Sequence, residues 1–312
     1  MISFGPIPSR RLGKSLGINN IPSQKTCSYS CIYCQVGITK KYSTVRENFY
    51  EPVIIHQEIK KHLQKLKESD VPDYLTFVAN GEPTLDINLG KSIKRLKEFN
   101  IPIAVITNAT LLNEKQVRED LNLADWVSIK VDTNNKETWK SINRPAVSLS
   151  YEKHLEGILQ FSSEYKGKLC TETMLVEGLN DSADALNQTS GFIKQIKPSL
   201  AYISIPTRPP AIKSVKSPEE LVINEAYQIF SGKNLNVELL LGFEGTNTGF
   251  TGNAIEDIIN ICTVHPIRED TMQELLKKNN AGNDVLGSLL RREYIKQVQY
   301  NSESFYIRQF HV

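Results

Sequence analysis

Between residues 16 and 241 the chain alternates two kinds of segment, and this alternation restricts the fold more than any single residue does. β-Rich runs lie at 16–21, 74–79, 101–107, 126–131, 169–176, 200–205 and 237–241. Between them, apolar residues recur at helical spacing. Ile54, Ile55, Ile59, Leu63 and Leu66 fall among lysines in this way, and Ile93, Leu96 and Phe99 mark a second helix. Asn113, with Gln116 three residues on, predicts a capped helix start. Helical patterns follow at 151–165, at 183–196 and from Ser217 or Pro218 to Phe230. Six strand-then-helix steps before a last strand imply a parallel sheet with helical crossovers. The choice is an open doubly wound sheet or a full or partial β/α barrel. In both, ligands bind at the C-terminal ends of the strands.

Polar residues follow those strands in order. Asn80-Gly81-Glu82-Pro83-Thr84 comes after the second, Thr107-Asn108 after the third, and Ser128, Lys130 and Asp132 at the end of the fourth. Thr171, Glu172 and Thr173 lie in the fifth, and residues 206–210 follow the sixth. Each alone is an ordinary turn or cap, and Asp132 suits a helix N-cap. Their common rim makes them a candidate site. Residues 6–20 are dense in Pro, Gly and Arg and read as a loop leading into the first strand at 16–21, with Arg10 and Arg11 suited to an anion.

From about residue 253 the rhythm changes. Ile255, Ile258, Ile259 and Ile261 predict a helix, 271–278 and 283–292 two more, and 294–300 and 304–308 two β-like runs. Helices followed by a hairpin resemble a winged helix, which divides the chain into 1–250 and 251–312. Lys277, Lys278, Arg291, Arg292, Lys296 and Arg308 suit phosphate contacts, but Asp284, Glu293 and Glu303 dilute them. Packing on the core or binding a protein is the competing role. The net charge of +2 favours no partner class. No apolar run has the length of a bilayer span, and the N-terminus lacks a secretory pattern, so no membrane partner is expected. Five cysteines, an odd number with three clustered, do not form a disulfide framework, and a reducing cytoplasm is the consistent compartment.

Those clustered cysteines, Cys27, Cys31 and Cys34, are spaced C-x3-C-x2-C directly after the first strand. Three thiolates this close can share one soft metal centre. Zinc would need a fourth ligand from Cys170, Cys262 or a histidine. An iron–sulfur cubane held by three thiolates keeps one iron open.

The pattern C-x3-C-x-aromatic-C, with Tyr33 at the aromatic position, resembles the radical S-adenosylmethionine (SAM) superfamily, and the resemblance spans residues 16–241. It implies an α/β fold, a partial (β/α)6 barrel, here with the small winged-helix-like C-terminal module. It implies that Cys27, Cys31 and Cys34 hold a [4Fe–4S] cluster whose open iron takes the amino and carboxylate groups of SAM. One electron then cleaves SAM to a 5′-deoxyadenosyl radical, which abstracts hydrogen from a substrate. By the same resemblance, Tyr33 packs near the adenine and Gly81, Glu82 and Pro83 meet the SAM amino group. Thr107 and Asn108 touch SAM, and Ser128 and Lys130 contact its ribose or carboxylate. Residues 203–206 line the adenine. The implied electron donor is reduced ferredoxin or flavodoxin. No catalytic residue is assigned; Glu172, Arg144 and Arg208 are candidates on the substrate side.

The stretch Phe4-Gly5-Pro6-x-Pro8-Ser9-Arg10-Arg11-Leu12-Gly13-x-Ser15-Leu16-Gly17, with Asn80-Gly81-Glu82-Pro83-Thr84, resembles a branch related to the archaeal wyosine-forming tRNA enzymes. Those enzymes carry further cysteines for a second cluster, which this sequence lacks, so the common core alone is implied. Three substrate classes follow: tRNA or another nucleic acid, a protein or small molecule with the C-terminal module as docking domain, or none, in a DNA-binding iron–sulfur sensor.

Overall fold

In the computed structural model, which describes residues 2–22 and 24–309, the predicted β-rich runs all become strands of one sheet. The strands are β1 (Ser3–Ser9), β2 (Gly13–Ile18), β3 (Thr26–Cys27), β4 (Lys41–Tyr42), β5 (Tyr74–Phe77), β6 (Ile103–Thr107), β7 (Trp126–Lys130), β8 (Lys168–Met174), β9 (Leu200–Ser204) and β10 (Val237–Leu240). Eight of them pair in the order β1-β2-β5-β6-β7-β8-β9-β10, while β3 and β4 form a small ladder apart. All pairs from β2 to β10 are parallel, and β1 joins antiparallel to β2.

Helices α1 (Pro52–Lys65), α2 (Leu89–Leu96), α3 (Lys115–Leu121), α4 (Lys136–Asn143), α5 (Tyr151–Glu164), α6 (Ala183–Ile196) and α7 (Glu220–Gly232) are the crossovers. Strand side chains alternate between faces. Leu75, Phe77, Ile103, Val105, Val127, Ile129, Ala201 and Ile203 pack outward against helix residues such as Ile55, Ile59, Ile93 and Phe230. The inner face carries a separate cluster of Leu12, Ala104, Trp126, Cys170, Tyr202 and Leu240, which plugs the base. A doubly wound sheet would bury both faces under helices. Here the sheet curls instead: Arg10, beyond β1, donates to the Leu240 carbonyl of β10, and Gly249 N donates to the Pro6 carbonyl. The result is a partial barrel whose edges, β1 and β10, face each other across a gap.

Several expectations shift. The strand expected from residue 16 is present as β2, but the loop expected ahead of it is the rest of a hairpin; Pro6 and Pro8 belong to β1 because an edge strand tolerates residues without an N–H. Asn113 caps nothing: α3 starts at Lys115 with Glu114 at its N-cap. Ser217 lies before α7, its hydroxyl donating to the Pro206 carbonyl instead. Helix α4, capped by Asn135, shows no helical spacing in the sequence because Trp139 and Ile142 are its only apolar residues.

After β10 come α8 (Ala254–Val264), β11 (Ile267–Arg268), α9 (Glu269–Lys278), α10 (Asn283–Arg291), β12 (Ile295–Tyr300) and β13 (Glu303–Arg308), with strand order β11-β13-β12. Their apolar core, including Ile258, Ile261, Met272 and Leu289, also takes in Phe4 and Ile7 of β1. The C-terminal elements therefore sit on the edge strand beside the gap. Among the described residues, no helix is long and apolar enough to cross a membrane.

Candidate functional site

The cysteine loop is clamped from two sides. On one side, Thr26 N donates to Asn80 O (3.3 Å) and Glu82 N donates to Thr26 O (3.1 Å). Gly81 sits between them at φ +144°, and a Cβ there would stand 1.7 Å from Thr26 O. The glycine thus admits the cysteine loop, where the sequence suggested approach to a ligand. On the other side, the end of α4 accepts from Ser30 N at Asn143 O (3.0 Å) and from Ile32 N at Ile142 O (2.9 Å). Beneath, Trp139 Nε1 donates to Tyr29 Oη (2.6 Å), which lies 3.3 Å from His154 Nε2. All three rings are buried.

Each sulfur has a nitrogen donor. Tyr29 N and Asn108 Nδ2 lie 3.5 Å from Cys27 Sγ, Asn143 Nδ2 lies 3.5 Å from Cys31 Sγ, and Lys25 Nζ lies 3.1 Å from Cys34 Sγ. Burial pushes the Cys27 thiol up to about 12 and the Cys31 thiol up to about 11. Burial pulls the Lys25 ammonium down, yet the Cys34 and Cys27 sulfurs more than offset it, and its pKa is raised. Thiolates in this loop need a cation and N–H donors, and the loop supplies the donors.

Glu82, 1% exposed, organises the next wall. Its Oε1 accepts from Thr84 N, Thr84 Oγ1 and Thr107 Oγ1 (3.1, 2.7 and 2.6 Å), and Oε2 accepts from Asn108 N (2.8 Å). Burial raises its pKa, and those four donors pull against it. One Oε2 lone pair is left for a further donor. Asn108 Nδ2 also donates to Ser28 Oγ at 2.9 Å.

Across the cavity, Glu172 is bracketed by Lys130 Nζ (2.9 Å) and by Arg11, and it accepts from Ser204 Oγ (3.1 Å). Burial disfavours its charge, but Arg11 and Lys130 prevail and hold the carboxyl down at about 2. Lys130 Nζ lies 5.2 Å from the centre of the Tyr33 ring, and Tyr33 donates to Asp132. Asp132 also accepts from Asn143 Nδ2 (2.7 Å) and Met174 N (2.9 Å), so it ties α4 to β8 and does not cap a helix.

A cavity of about 300 Å³ gathers most of the predicted residues: Cys27, Cys31, Cys34, Tyr33, Gly81, Glu82, Thr107, Asn108 and Lys130 all line it. Ser128 and Pro83 are buried but do not line it. Ser128 sits one pleat step deeper than Lys130, and Pro83 turns away, its carbonyl accepting from Asn20 Nδ2. Of the substrate-side candidates, Glu172 and Arg208 line the cavity, whereas Arg144 is exposed at the end of α4. Sequence reasoning missed Lys25, Asn143, Glu244 and His265. Lys25, two residues before Cys27, was visible in the pattern. Asn143 lay on the unpredicted helix, and Glu244 and His265 lie beyond the strands that carry the motif.

Residues 21–187 match the family model described as the Radical SAM superfamily. The chain belongs to the radical SAM superfamily. It is 44% identical over 310 residues to a UPF0026 protein of Methanocaldococcus jannaschii, covering 98% of this chain and 96% of that one. Its fold is like that of a radical SAM methyltransferase from Sphaerobacter thermophilus, with a TM-score of 0.53 and 13% identity over 73% of this chain and 66% of that one. It is also like Streptococcus suis SuiB in its structure bound to S-adenosylmethionine, with a TM-score of 0.52 and 13% identity over 72% of this chain and 49% of that one. Radical SAM proteins use a [4Fe–4S] cluster and SAM, and this chain is a radical SAM enzyme.

The residues present fit that cluster. The cofactor of the family is a [4Fe–4S] cluster, not zinc, so that cluster is the group to fit to these residues. Cys170 sits in the barrel base and Cys262 in the C-terminal core, so neither can join the loop. Three neighbouring thiols are the kind of ligand set a multi-iron group takes, and the N–H donor at every sulfur suits thiolates.

Proposed function

We propose that this radical SAM enzyme cleaves SAM reductively and uses it to remove a hydrogen atom from a substrate that enters through the gap between β1 and β10. The supporting observation is the shared cavity: the three cysteines, the Glu82 wall and the Lys130–Glu172–Arg11 network all line it. When bound, the cluster and SAM supply the one-electron cleavage and the hydrogen abstraction. Cys27, Cys31 and Cys34 hold the cluster. Asn108, Asn143 and Lys25 stabilise its thiolates by N–H donation. Glu82 fixes the 81–84 turn and keeps one lone pair for the SAM ammonium. Lys130, a half-buried cation, takes the SAM carboxylate, with the Tyr33 ring beside it. The curled sheet and the packed C-terminal elements keep water from the reacting atoms.

Residues 251–312 form the winged-helix-like module of this reading, and residues 1–250 the barrel. The module closes the side of the site: Gln35 Nε2, next to Cys34, donates to Val264 O at 2.9 Å. A nucleic-acid substrate has weaker support, since Lys278 is engaged with Asn247 and Thr248, and Arg308 with Tyr294. Reduced ferredoxin or flavodoxin in the cytoplasm delivers the electron.

The test is anaerobic reconstitution of the cluster, followed by dithionite, SAM and chromatographic assay for 5′-deoxyadenosine. Product that depends on the cluster is expected. An intact cluster with no 5′-deoxyadenosine overturns the reading. Cys31→Ala should lose cluster absorbance and product together.

A further inference from the structure

In the same cavity, the side chains that close the gap carry an unbalanced charge. Arg11 and Lys130 flank Glu172, while Arg10 (3.7 Å) and Arg208 flank Glu244. Asp132 also acts on Lys130, so that end is balanced, whereas Arg10 and Arg208 share the single carboxylate of Glu244. None of these side chains exceeds 22% exposure. Uncompensated charge at that degree of burial is costly, and a bound anion relieves it. The uncompensated charge is the one shared by Arg10 and Arg208.

Geometry leaves these two guanidiniums with spare donors. Arg10 spends one N–H on Leu240 O, and Arg208 donates to Gln35 Oε1 (3.1 Å) and Glu244. Each guanidinium has five donors. Burial, then the nearby Arg208 and Arg11, lowers the Arg10 pKa, so the arginines crowd one another with too few acids between them. His265, contributed from the end of α8, lines the same space and adds no charge: burial and Arg208 pull it down to about 3. A second cavity of about 210 Å³ shares Arg208, Glu244 and His265 with the first and extends toward Tyr300 and Phe305 of the C-terminal sheet. The two spaces admit a small molecule or one residue of a larger one.

We propose that Arg10 and Arg208 form an anion subsite for the substrate, which carries a carboxylate or phosphate group into the gap between β1 and β10. This deepens the radical SAM reading and rests on it for the word substrate. The arrangement also explains why the C-terminal elements are fixed to the barrel edge: α8 carries one wall of the subsite, so the substrate's charged end is held only when both parts are present.

The test uses the cluster-loaded full chain with SAM. Its melting temperature is followed against sodium phosphate and, separately, sodium malonate, with sodium chloride at matched ionic strength as reference. A saturable rise with phosphate alone identifies a phosphate group, and a rise with malonate, alone or with phosphate, identifies a carboxylate site. No rise beyond chloride with either anion overturns the proposal. Arg10→Gln and Arg208→Gln should each raise the half-saturating concentration by about tenfold or more, the loss of one charge-assisted hydrogen bond. Exposed Arg291→Gln should leave it unchanged. Equal effects at all three positions, or none at Arg10 and Arg208, also overturn it. Arg10→Lys, which keeps the charge and loses the fork, should fall in between and covers a failure of the glutamine variants to fold. Assaying 5′-deoxyadenosine in the same samples separates the claims. SAM cleavage without an anion effect sinks the subsite alone. An intact cluster without SAM cleavage sinks the radical SAM reading alone, leaving the titration to judge the subsite.

Discussion

Replacing Gly81 with alanine should damage the cluster site although no ligand is removed. The new methyl would stand 1.7 Å from Thr26 O and 2.7 Å from Thr26 C, both backbone atoms, so neither can swing away. The φ of +144° adds strain for any L side chain, about 1–3 kcal/mol. Overpacking against a fixed neighbour costs about 1–3 kcal/mol more. Moving Thr26 away breaks its bonds with Asn80 and Glu82, at about 1 kcal/mol each. Whichever of the two happens, the total with the backbone strain is about 2–6 kcal/mol, a large part of the stability of an ordinary domain. Gly178→Ala is the control: φ is +71° there, but nothing lies within 4 Å of the added carbon, so it should cost only about 1–2 kcal/mol. Urea unfolding with iron content per chain after anaerobic reconstitution reads both effects. Gly81→Ala should lose most of its iron, because Cys27 follows Thr26 directly, while Gly178→Ala should keep it. Full iron and an unchanged midpoint in Gly81→Ala would refute the idea that this glycine exists to let two loops touch.

Two further outcomes follow from buried donors. Asn143→Leu removes the N–H donors to Cys31 Sγ and Asp132, so potentiometric titration should show a more negative cluster potential, and unfolding should show a loss of about 1–3 kcal/mol. His154 is held down at about 4 by burial, against 6.5 when free. Its folded pKa is depressed, so the unfolded chain binds the proton first and stability falls as pH drops from about 6.5 to about 4. That loss is on the order of 3 kcal/mol. Asp86, raised to about 6 by burial, opposes part of it. The measurement is therefore the difference between wild type and His154→Gln in melting temperature at pH 7 and pH 5. An equal drop in both would contradict the assignment.

The cysteine motif, the strand rhythm and the polar residues at strand ends are local patterns, and local chemistry was enough to read them. Cys27, Cys31 and Cys34 point to a shared metal group because three thiols so close suit one soft centre. β2 and β5 through β10 announce a parallel sheet because each is an apolar run followed by a helix. Glu82, Thr107, Asn108 and Lys130 were legible as a site because strand order places them on one rim. Ser128 and Pro83 were not separable from them in the chain, since a pleat step or a turn direction decides which side chain reaches the cavity.

What tertiary structure alone decided is who stands opposite whom. Gly81 serves Thr26, 55 positions earlier in the chain by the numbering, and no local pattern encodes that contact. Asn143 reaches Cys31 only because α4 packs under the loop. Arg10, Arg208, Glu244 and His265 meet only because the sheet curls until its edge strands face each other and α8 docks on β1. The cofactor chemistry was legible in the chain, because three neighbouring thiols and the aromatic residue between them form a local motif that resembles the radical SAM family. The charged gap beside it depends on long-range packing of apolar faces, and that physics is visible only once the chain has closed.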